Sequence, residues 1–495
     1  MAGKLGTILA VGSCKAARKV LHLLKRGGTT TPGKAAMFFD RNILAKTAEG
    51  VETIVVVGTN GKTTTAHMLE RAMTAAGMDP LANRSGANLL PGITAEFTAE
   101  ASISGHARRK YAVIECDEAA LKLVVPLVNP KVIAVTNLFR DQLDRYGEVM
   151  NTLEQIRIGV RMVPEAILCL NADDSLVASL ALDVPNPVVY FGLDLPVGEQ
   201  KDAELSDARY CIRCGTEYTY SYHTYAHLGG FRCPNCGYRR HQTDVAVTAI
   251  RSMGMDGSDI ELRFGTASEG KKQKQTLPEA KPHPDTEGSI KNTERKPEIT
   301  GGSVIEHVHV GLPAVYNIYN AACAAAAFTA AGYDRQKILP VLAEVHSSFG
   351  RMETFDLDGV RVQMILVKNP AGCSQALDYL AAMEEPYQAV FCLNDRTADG
   401  HDISWIWDAD FEKVCRDPHM LHAYVLGDRA EDMQLRLKYA DMEENGVEKV
   451  NAEEELIEKM RKSEVPVFIL PNYTAMLSLR AVLGRITGKD AFWKG

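Results

Sequence analysis

The stretch VETIVVVGTNGKTTTAHMLERAMTAAG, residues 51–77, decides the fold. Residues 51–57 form a short β-branched run, as a parallel strand buried on both faces requires. Gly58-Thr59-Asn60-Gly61-Lys62-Thr63 follows at once. Ala66, Leu69, Met73 and Ala76 then recur at helical spacing until Gly77 ends the helix. Strand, glycine turn and helix N-terminus together build an anion site, because free backbone N–H groups and the positive end of the helix dipole face one point. In that arrangement Lys62 reaches the β- and γ-phosphates of a nucleotide, and the Thr63 hydroxyl holds Mg²⁺. The motif is a variant. The strict P-loop has four residues between its glycines; here two separate Gly58 from Gly61, and Val56 stands where the first glycine would be.

Around this stretch, 495 residues suffice for two or three domains with their own cores. A net charge of −8 argues against wholesale nucleic-acid binding. Eleven cysteines in so long a chain make no disulfide framework, and four of them fall in CxxC pairs, which favours a reducing compartment and a metal. No run of about 18 uncharged apolar residues occurs, so no transmembrane helix is expected. Residues 5–24 mix apolar residues with Lys15, Arg18 and Lys19, and Lys25 follows, without a signal-peptide cleavage pattern. They read as an amphipathic basic helix, either lying on a membrane surface or packed on the body with its basic face in solvent.

Downstream, residues 83–94 read as a polar active-site loop. Residues 111–115 are the next strand, ending in Glu115-Cys116-Asp117-Glu118. Carboxylates at the C-terminal end of a parallel strand stand where ligands bind in open α/β sheets. Glu115 is thus a candidate second contact for Mg²⁺, the alternative being a solvated acidic turn. Strands at 132–135, 166–170 and 188–191 each end in polar residues, among them Asn137 and Asn171-Ala172-Asp173-Asp174. Strands alternating with helices to about residue 195 predict a doubly wound parallel sheet.

The character then changes. Cys211-x-x-Cys214-Gly and Cys233-x-x-Cys236-Gly enclose eighteen residues rich in Tyr and His. This spacing fits one Zn²⁺ held tetrahedrally by four thiolates, a closed site and so a structural one. Arg232, Arg239 and Arg240 are too small a basic cluster for nucleic acid. Residues 268–299 are charged, Pro-rich and free of aromatics, and read as a disordered insertion. After a strand at 304–310, Asn317 and Asn320 share a helical face. Their amides suit a purine edge, or else cap the helix start. Residues 350–495 repeat the strand–loop–helix rhythm, with strands at 360–367, 389–393, 423–426 and 467–470. The loop 395–408 is the most acidic of their connections and holds two of the chain's three tryptophans.

The phosphate loop, Asn137 to Gly147, Asn171 to Asp174, Asn317 with Asn320, and Gly350-Arg351-Met352-Glu353 together resemble the Mur ligase family, ATP-dependent amide-forming enzymes of peptidoglycan and folate metabolism. The resemblance runs from about residue 45 to the end. The missing N-terminal nucleotide-sugar domain, the inserted ribbon and the loop Asp402-Ile-Ser-Trp405-Ile-Trp-Asp408 are similar to the branch formed by ligase-like subunits of lipid II isoglutaminyl synthases. It implies an α/β layout: a helical segment (1–48), a Mur ligase-like P-loop ATPase domain (49–346) interrupted by a four-cysteine zinc ribbon (208–240) and the 268–299 insertion, and a Rossmann-like α/β domain (347–495).

The resemblance further implies that ATP phosphorylates the D-glutamate α-carboxylate of the lipid II stem peptide and that ammonia displaces phosphate, giving D-isoglutamine. Ammonia would come from a GatD-like class I glutamine amidotransferase partner in a heterodimer. In agreement, no cysteine here sits in a G-x-C-x-G elbow; Cys373 is the nearest and lacks the flanking glycines. By the same matching, Thr59, Asn60, Gly61, Lys62, Thr63 and Thr64 bind phosphates, Thr63 and Glu115 hold Mg²⁺, Asn317 meets adenine and Arg351 the γ-phosphate. Asp402, with Asp395 and Asp399 as alternatives, orients the partner's catalytic histidine. Ile365 or Leu366 stands where many members carry a ribose-binding Asp. The implied place is the cytoplasm at the inner face of the membrane, with peripheral membrane contact through residues 5–25. The rival readings are a stand-alone amino-acid ligase, similar to folylpolyglutamate synthase, and a non-enzymatic ATP-switched ribbon protein.

Overall fold

The structure is a computed structural model that describes residues 2–23, 30–84, 87–140, 149–197, 207–254, 256–265, 303–345 and 351–488. The chain forms two compact units. Met1–Leu138, Met150–Gly311 and Tyr316–Val345 make the first; Phe139–Val149, Leu312–Val315 and His346–Gly495 make the second.

The first unit is built on a nine-stranded sheet in the order β11-β10-β9-β6-β5-β4-β1-β3-β2. Its strands are β1 (Glu52–Val57), β2 (Pro80–Ala82), β3 (Tyr111–Glu115), β4 (Val132–Val135), β5 (Ile167–Asn171), β6 (Val188–Leu193), β9 (Val245–Gly254), β10 (Gly257–Phe264) and β11 (Val304–Val310). From β2 to β9 the neighbours pair in parallel. Ile54 to Val57 and Val132 to Val135 are fully buried, as continuous apolar runs in a two-sided parallel sheet must be. The sheet does not stop near residue 195. After the ribbon the chain returns through β9, and β10 and β11 extend the sheet antiparallel. Neighbouring strands joined by a short turn pair antiparallel, so β9 and β10 close as a hairpin.

Three N-terminal helices, α1 (Ala2–Leu23), α2 (Thr31–Phe39) and α3 (Ile43–Thr47), pack on this unit against α5 (Leu90–Glu100). The helix α5 corrects the reading of 83–94 as a loop throughout. Pro91 and Gly92 look like loop residues, but proline in a first helical turn lacks only an N–H that would have no partner anyway. Ile93, Ala95 and Phe97 then bury along the helix. The 268–299 insertion and most of the polar loop after Phe139 lie outside the described residues.

Between β6 and β9, strands β7 (Thr219–Tyr225) and β8 (Leu228–Arg232) form a separate antiparallel pair beside the two CxxC knuckles. The second unit has a six-stranded sheet in the order β12-β13-β17-β14-β15-β16. Its strands are β12 (Arg351–Leu357), β13 (Val360–Ile365), β14 (Tyr387–Cys392), β15 (Met420–Leu426), β16 (Val447–Lys449) and β17 (Val467–Pro471). All neighbours are parallel except the β12–β13 hairpin. Phe355, Val362, Val390, Ile469, Met476 and Leu479 belong to its core.

Candidate active site

The phosphate loop joins β1 to α4 (Lys62–Ala75), and Asn137 holds it from the next strand. Its side-chain oxygen accepts from the Asn60 N–H at 2.9 Å, its backbone carbonyl accepts from the Thr59 N–H at 2.9 Å, and its amide donates to the Asn60 carbonyl at 3.1 Å. Thr136 adds a hydroxyl donation to the same carbonyl at 2.7 Å. The two glycines are required by this closeness. Gly61 has φ +84°, and a Cβ there would lie 2.0 Å from the Asn320 side-chain oxygen; at Gly58, with φ +132°, a Cβ would meet the Thr136 hydroxyl at 2.4 Å.

Around the loop, a lysine, a hydroxyl and two carboxylates pair with one another. The Thr63 hydroxyl donates to Glu115 Oε2 at 2.6 Å, and Lys62 Nζ lies 2.7 Å from Glu118 Oε1 and 2.5 Å from the Gly58 carbonyl. Asn83 fixes the end of β3, accepting from the Glu115 N–H at 2.9 Å and donating to the Glu115 carbonyl at 2.8 Å. Asp117 is spent locally, since it accepts from the Ala119 and Ala120 N–H groups. The acidic run therefore divides its labour: Glu115 faces the hydroxyl that could hold Mg²⁺, Glu118 faces the lysine, and Asp117 caps a turn. Glu118 and Asn137 were missed as site residues. Glu118 lies three residues past Glu115 in an acidic run that does not mark which carboxylate turns inward.

Asn317 and Asn320 lie inside the helix Val315–Ala330, not at its cap. Asn320 donates to Asn317 at 3.1 Å and presses on Gly61, so this helix closes one side of the phosphate loop. Thr59, Asn60, Gly61, Lys62, Thr63, Thr64, Glu115 and Asn317 thus belong to one unit. Arg351 starts β12 in the other unit, and its side chain lies outside what is described.

The four cysteine sulfurs gather as the spacing required. Cys211 and Cys236 Sγ are 3.5 Å apart, Cys214 and Cys233 Sγ 3.4 Å, and all four lie within 4.8 Å of one another. Tetrahedral zinc with Zn–S of about 2.3 Å spaces its sulfurs by roughly 3.8 Å, so the donor set fits that ion. The ribbon is tied to the nucleotide side through buried Asp173. Arg240 pairs with Asp173, and Tyr319, on the same helix as Asn317, donates to it at 2.6 Å. Thr224 of β7 completes the link, 2.7 Å from the Tyr319 hydroxyl. Burial pushes the Asp173 carboxyl up, against the pull of Arg240. Deeper still, His227 Nε2 lies 3.4 Å from Asp174. Burial opposes its charge, but Asp174 overcomes this and raises the imidazole above its ordinary 6.5.

In the second unit, a pocket at the C-terminal ends of the parallel strands is lined by Lys368, Asn394, Asp399, Asp402, Trp405 and Asn472. Asn394 and Asn472 lock two strand ends together: the Asn394 N–H donates to the Asn472 side chain at 3.1 Å, and the Asn472 amide donates to the Asn394 carbonyl at 2.6 Å. The three candidate aspartates differ sharply. Asp399 is buried and accepts from the Thr474 N–H at 2.8 Å and its hydroxyl at 2.5 Å. Asp395 pairs with Arg429 at 3.2 Å. Half-buried Asp402 accepts from the Ser404 N–H at 2.9 Å through one oxygen and lines the pocket.

Comparison with known proteins follows this division. The Mur ligase middle domain matches residues 56–223, and the MurT ligase C-terminal domain matches residues 366–476. The lipid II isoglutaminyl synthase (glutamine-hydrolyzing) subunit MurT of Streptococcus pneumoniae is 32% identical over 482 residues, 97% of this chain and 97% of its own. The chain belongs to the MurT family. The MurT subunit of Staphylococcus aureus strain COL is also 32% identical, over 96% of this chain and 97% of that one. Among solved structures, a pseudomurein peptide ligase type C from Methanothermus fervidus superposes with a TM-score of 0.60 at 19% identity, covering 88% of this chain and 79% of its own, which shows the shared Mur ligase fold. The MurT match at the C-terminus covers every residue that lines the pocket of the second unit.

Proposed function

We propose that this MurT-family chain is the synthetase subunit of a glutamine-dependent amidoligase that converts the D-glutamate α-carboxylate of the lipid II stem peptide to D-isoglutamine. The observation that carries the reading is the likeness to MurT subunits from end to end, in a chain that keeps Lys62, Thr63 and Glu115 together at a phosphate loop.

ATP supplies the leaving group. The substrate carboxylate oxygen attacks the γ-phosphorus, ADP departs, and an acyl phosphate forms. Ammonia then attacks the acyl carbon with its lone pair, the carbon–oxygen bond breaks toward phosphate, and the nitrogen loses a proton. A bare carboxylate accepts ammonia poorly because its leaving group would be oxide; the acyl phosphate removes that barrier. Lys62 turns from Glu118 to the transferring phosphoryl, where its charge stabilises the transition state. Thr59, Asn60, Gly61 and Thr64 would cradle phosphates, Thr63 and Glu115 would hold Mg²⁺, Asn317 would contact adenine and Arg351 the γ-phosphate. Cys211, Cys214, Cys233 and Cys236 would hold Zn²⁺ in a structural role, closing the ribbon that Thr224 and Asp173 tie to the helix of Asn317.

A GatD-like glutaminase partner supplies ammonia, and Asp402 orients that partner's catalytic histidine. Asp402 is preferred because Asp399 and Asp395 already serve Thr474 and Arg429. The complex works in the cytoplasm at the inner face of the membrane that carries the substrate. The test is amidation of lipid II with ATP and Mg²⁺. This chain alone should amidate from ammonium chloride, and from glutamine only with the partner. Ligation of a free amino acid, with no use of ammonium, would establish a stand-alone ligase instead.

A further inference from the structure

The helix α1 is apolar on two opposite faces. One face packs inward: Ala10, Val11 and Cys14 join Ala36 and Ile43 in a buried cluster. The other bears Leu5, Ile8, Leu9, Val20 and Leu23, all exposed, at spacings that draw one stripe along the helix through Gly12 and Ala16. Leu5 is 60% exposed and Leu23 81%. At the end of α2, Phe38 is 83% exposed and meets Phe39 edge-on, with ring centroids 5.2 Å apart. Gly6 abuts the Phe39 carbonyl, so the aromatic pair adjoins the first turns of the stripe. Single exposed apolar residues are ordinary; seven large ones on two packed helices mark a surface that something covers.

Charge identifies the cover. The segment Ala2–Leu23 carries Lys4, Lys15, Arg18 and Lys19 and no Asp or Glu, within a chain of net charge −8. Lys15 donates to the Ala101 carbonyl at 2.7 Å and Arg18 pairs with Glu96 at 3.3 Å, while exposed Lys4 and Lys19 border the stripe. Aliphatic stripe, aromatic pair and basic margin are the composition of a helix lying in a membrane interface. No helix among the described residues is long and apolar enough to cross a membrane. We infer that the outward face of α1, with Phe38 and Phe39, docks on an anionic phospholipid surface, its axis along the membrane plane. The lipid-linked substrate proposed above gives the contact its purpose and rests on that reading; the apolar and charged pattern does not depend on it.

The test is sedimentation of the full chain, alone and with its glutaminase partner, with vesicles of phosphatidylglycerol or of phosphatidylcholine. Phosphatidylglycerol should carry the chain down, phosphatidylcholine at least about tenfold less, and salt should weaken the binding. Leu9→Glu and Phe38→Ser should each lower phosphatidylglycerol binding about tenfold, with melting temperature and ATP hydrolysis unchanged. The inference is overturned if wild type stays in solution with phosphatidylglycerol, or if both variants bind as wild type does. It is also overturned if Leu9→Glu instead splits a dimer of this chain or releases the partner. Amidation of detergent-solubilised lipid II without vesicle binding would sink this inference alone; vesicle binding without amidation would sink only the proposed reaction.

Discussion

The two α/β units solve the same geometric problem and spend their carboxylates differently. Each places polar residues at the C-terminal ends of parallel strands, and each fixes that edge with asparagine: Asn137 on the phosphate loop, Asn394 with Asn472 in the second unit. At the phosphate loop, Glu115 and Glu118 face the Thr63 hydroxyl and the Lys62 ammonium. In the second unit, Asp399 and Asp395 are consumed by Thr474 and Arg429, and Asp402 is left facing the pocket. The difference teaches that one edge pairs its carboxylates with a hydroxyl and a lysine at a glycine loop, while the other leaves a carboxylate lining a pocket. The proposed function assigns the first edge to catalysis within the chain and the second to the partner's histidine.

The strongest test of that contrast is Lys62→Ala. Removing the cation that meets the transferring phosphoryl should lower amidation from both ammonium and glutamine by about 1,000-fold, read by product formation at saturating ATP. Asp402→Asn should separate the two edges. Glutamine-driven amidation should fall by about 1,000-fold or more, as for the aspartate of other triads, while ammonium-driven amidation stays within about twofold. Equal losses from both nitrogen sources would place Asp402 in the synthetase chemistry and erase the contrast.

Glu118→Gln sharpens the first edge. Lys62 loses the carboxylate that parks it, so kcat should drop about tenfold with a smaller change in the KM for ATP. An unchanged kcat would mean that the pair plays no part in turnover. Tyr319→Phe cuts the link from the ribbon through Asp173 to the helix of Asn317. It should raise the KM for ATP about threefold with zinc content, measured by metal analysis, unchanged. The smallest effect concerns pH. His227 has its folded pKa raised above 6.5, so the stability it lends is complete below about that pH and is lost as pH climbs through the higher folded value. His227→Gln should therefore cost more melting temperature at pH 6 than at pH 9; equal losses would deny the charged pair with Asp174.

Much of this architecture was legible because the buried strands announce themselves. Residues 111–115, 132–135 and 304–310 are β3, β4 and β11 to the residue, since a β-branched run between polar ends permits little else. The cysteine cluster was equally plain, because two CxxC pairs at this separation bring four sulfurs together. The helix α5 was hidden by Pro91 and Gly92, whose turn chemistry and helix-start chemistry look alike in one sequence. The extension of the sheet by β9 to β11, antiparallel from β10 on, was hidden by distance, since the ribbon separates those strands from the sheet they join. Within the site, Lys62 and Thr63 were readable from the loop motif itself. Glu118 was not, because an acidic run carries no mark of which carboxylate turns inward. Nor were the asparagine locks, which act through backbone groups that any residue provides.

The central claim is that this chain activates a carboxylate by phosphorylation, and the fate of one oxygen tests it most directly. Lipid II with a heavy-oxygen-labelled D-glutamate α-carboxylate would be amidated by the chain with ATP and ammonium chloride, and the released phosphate analysed by mass spectrometry. The account predicts one labelled oxygen in phosphate for each D-isoglutamine formed. Amidated product with unlabelled phosphate would contradict the acyl phosphate and, with it, the role given to Lys62, Thr63 and Glu115.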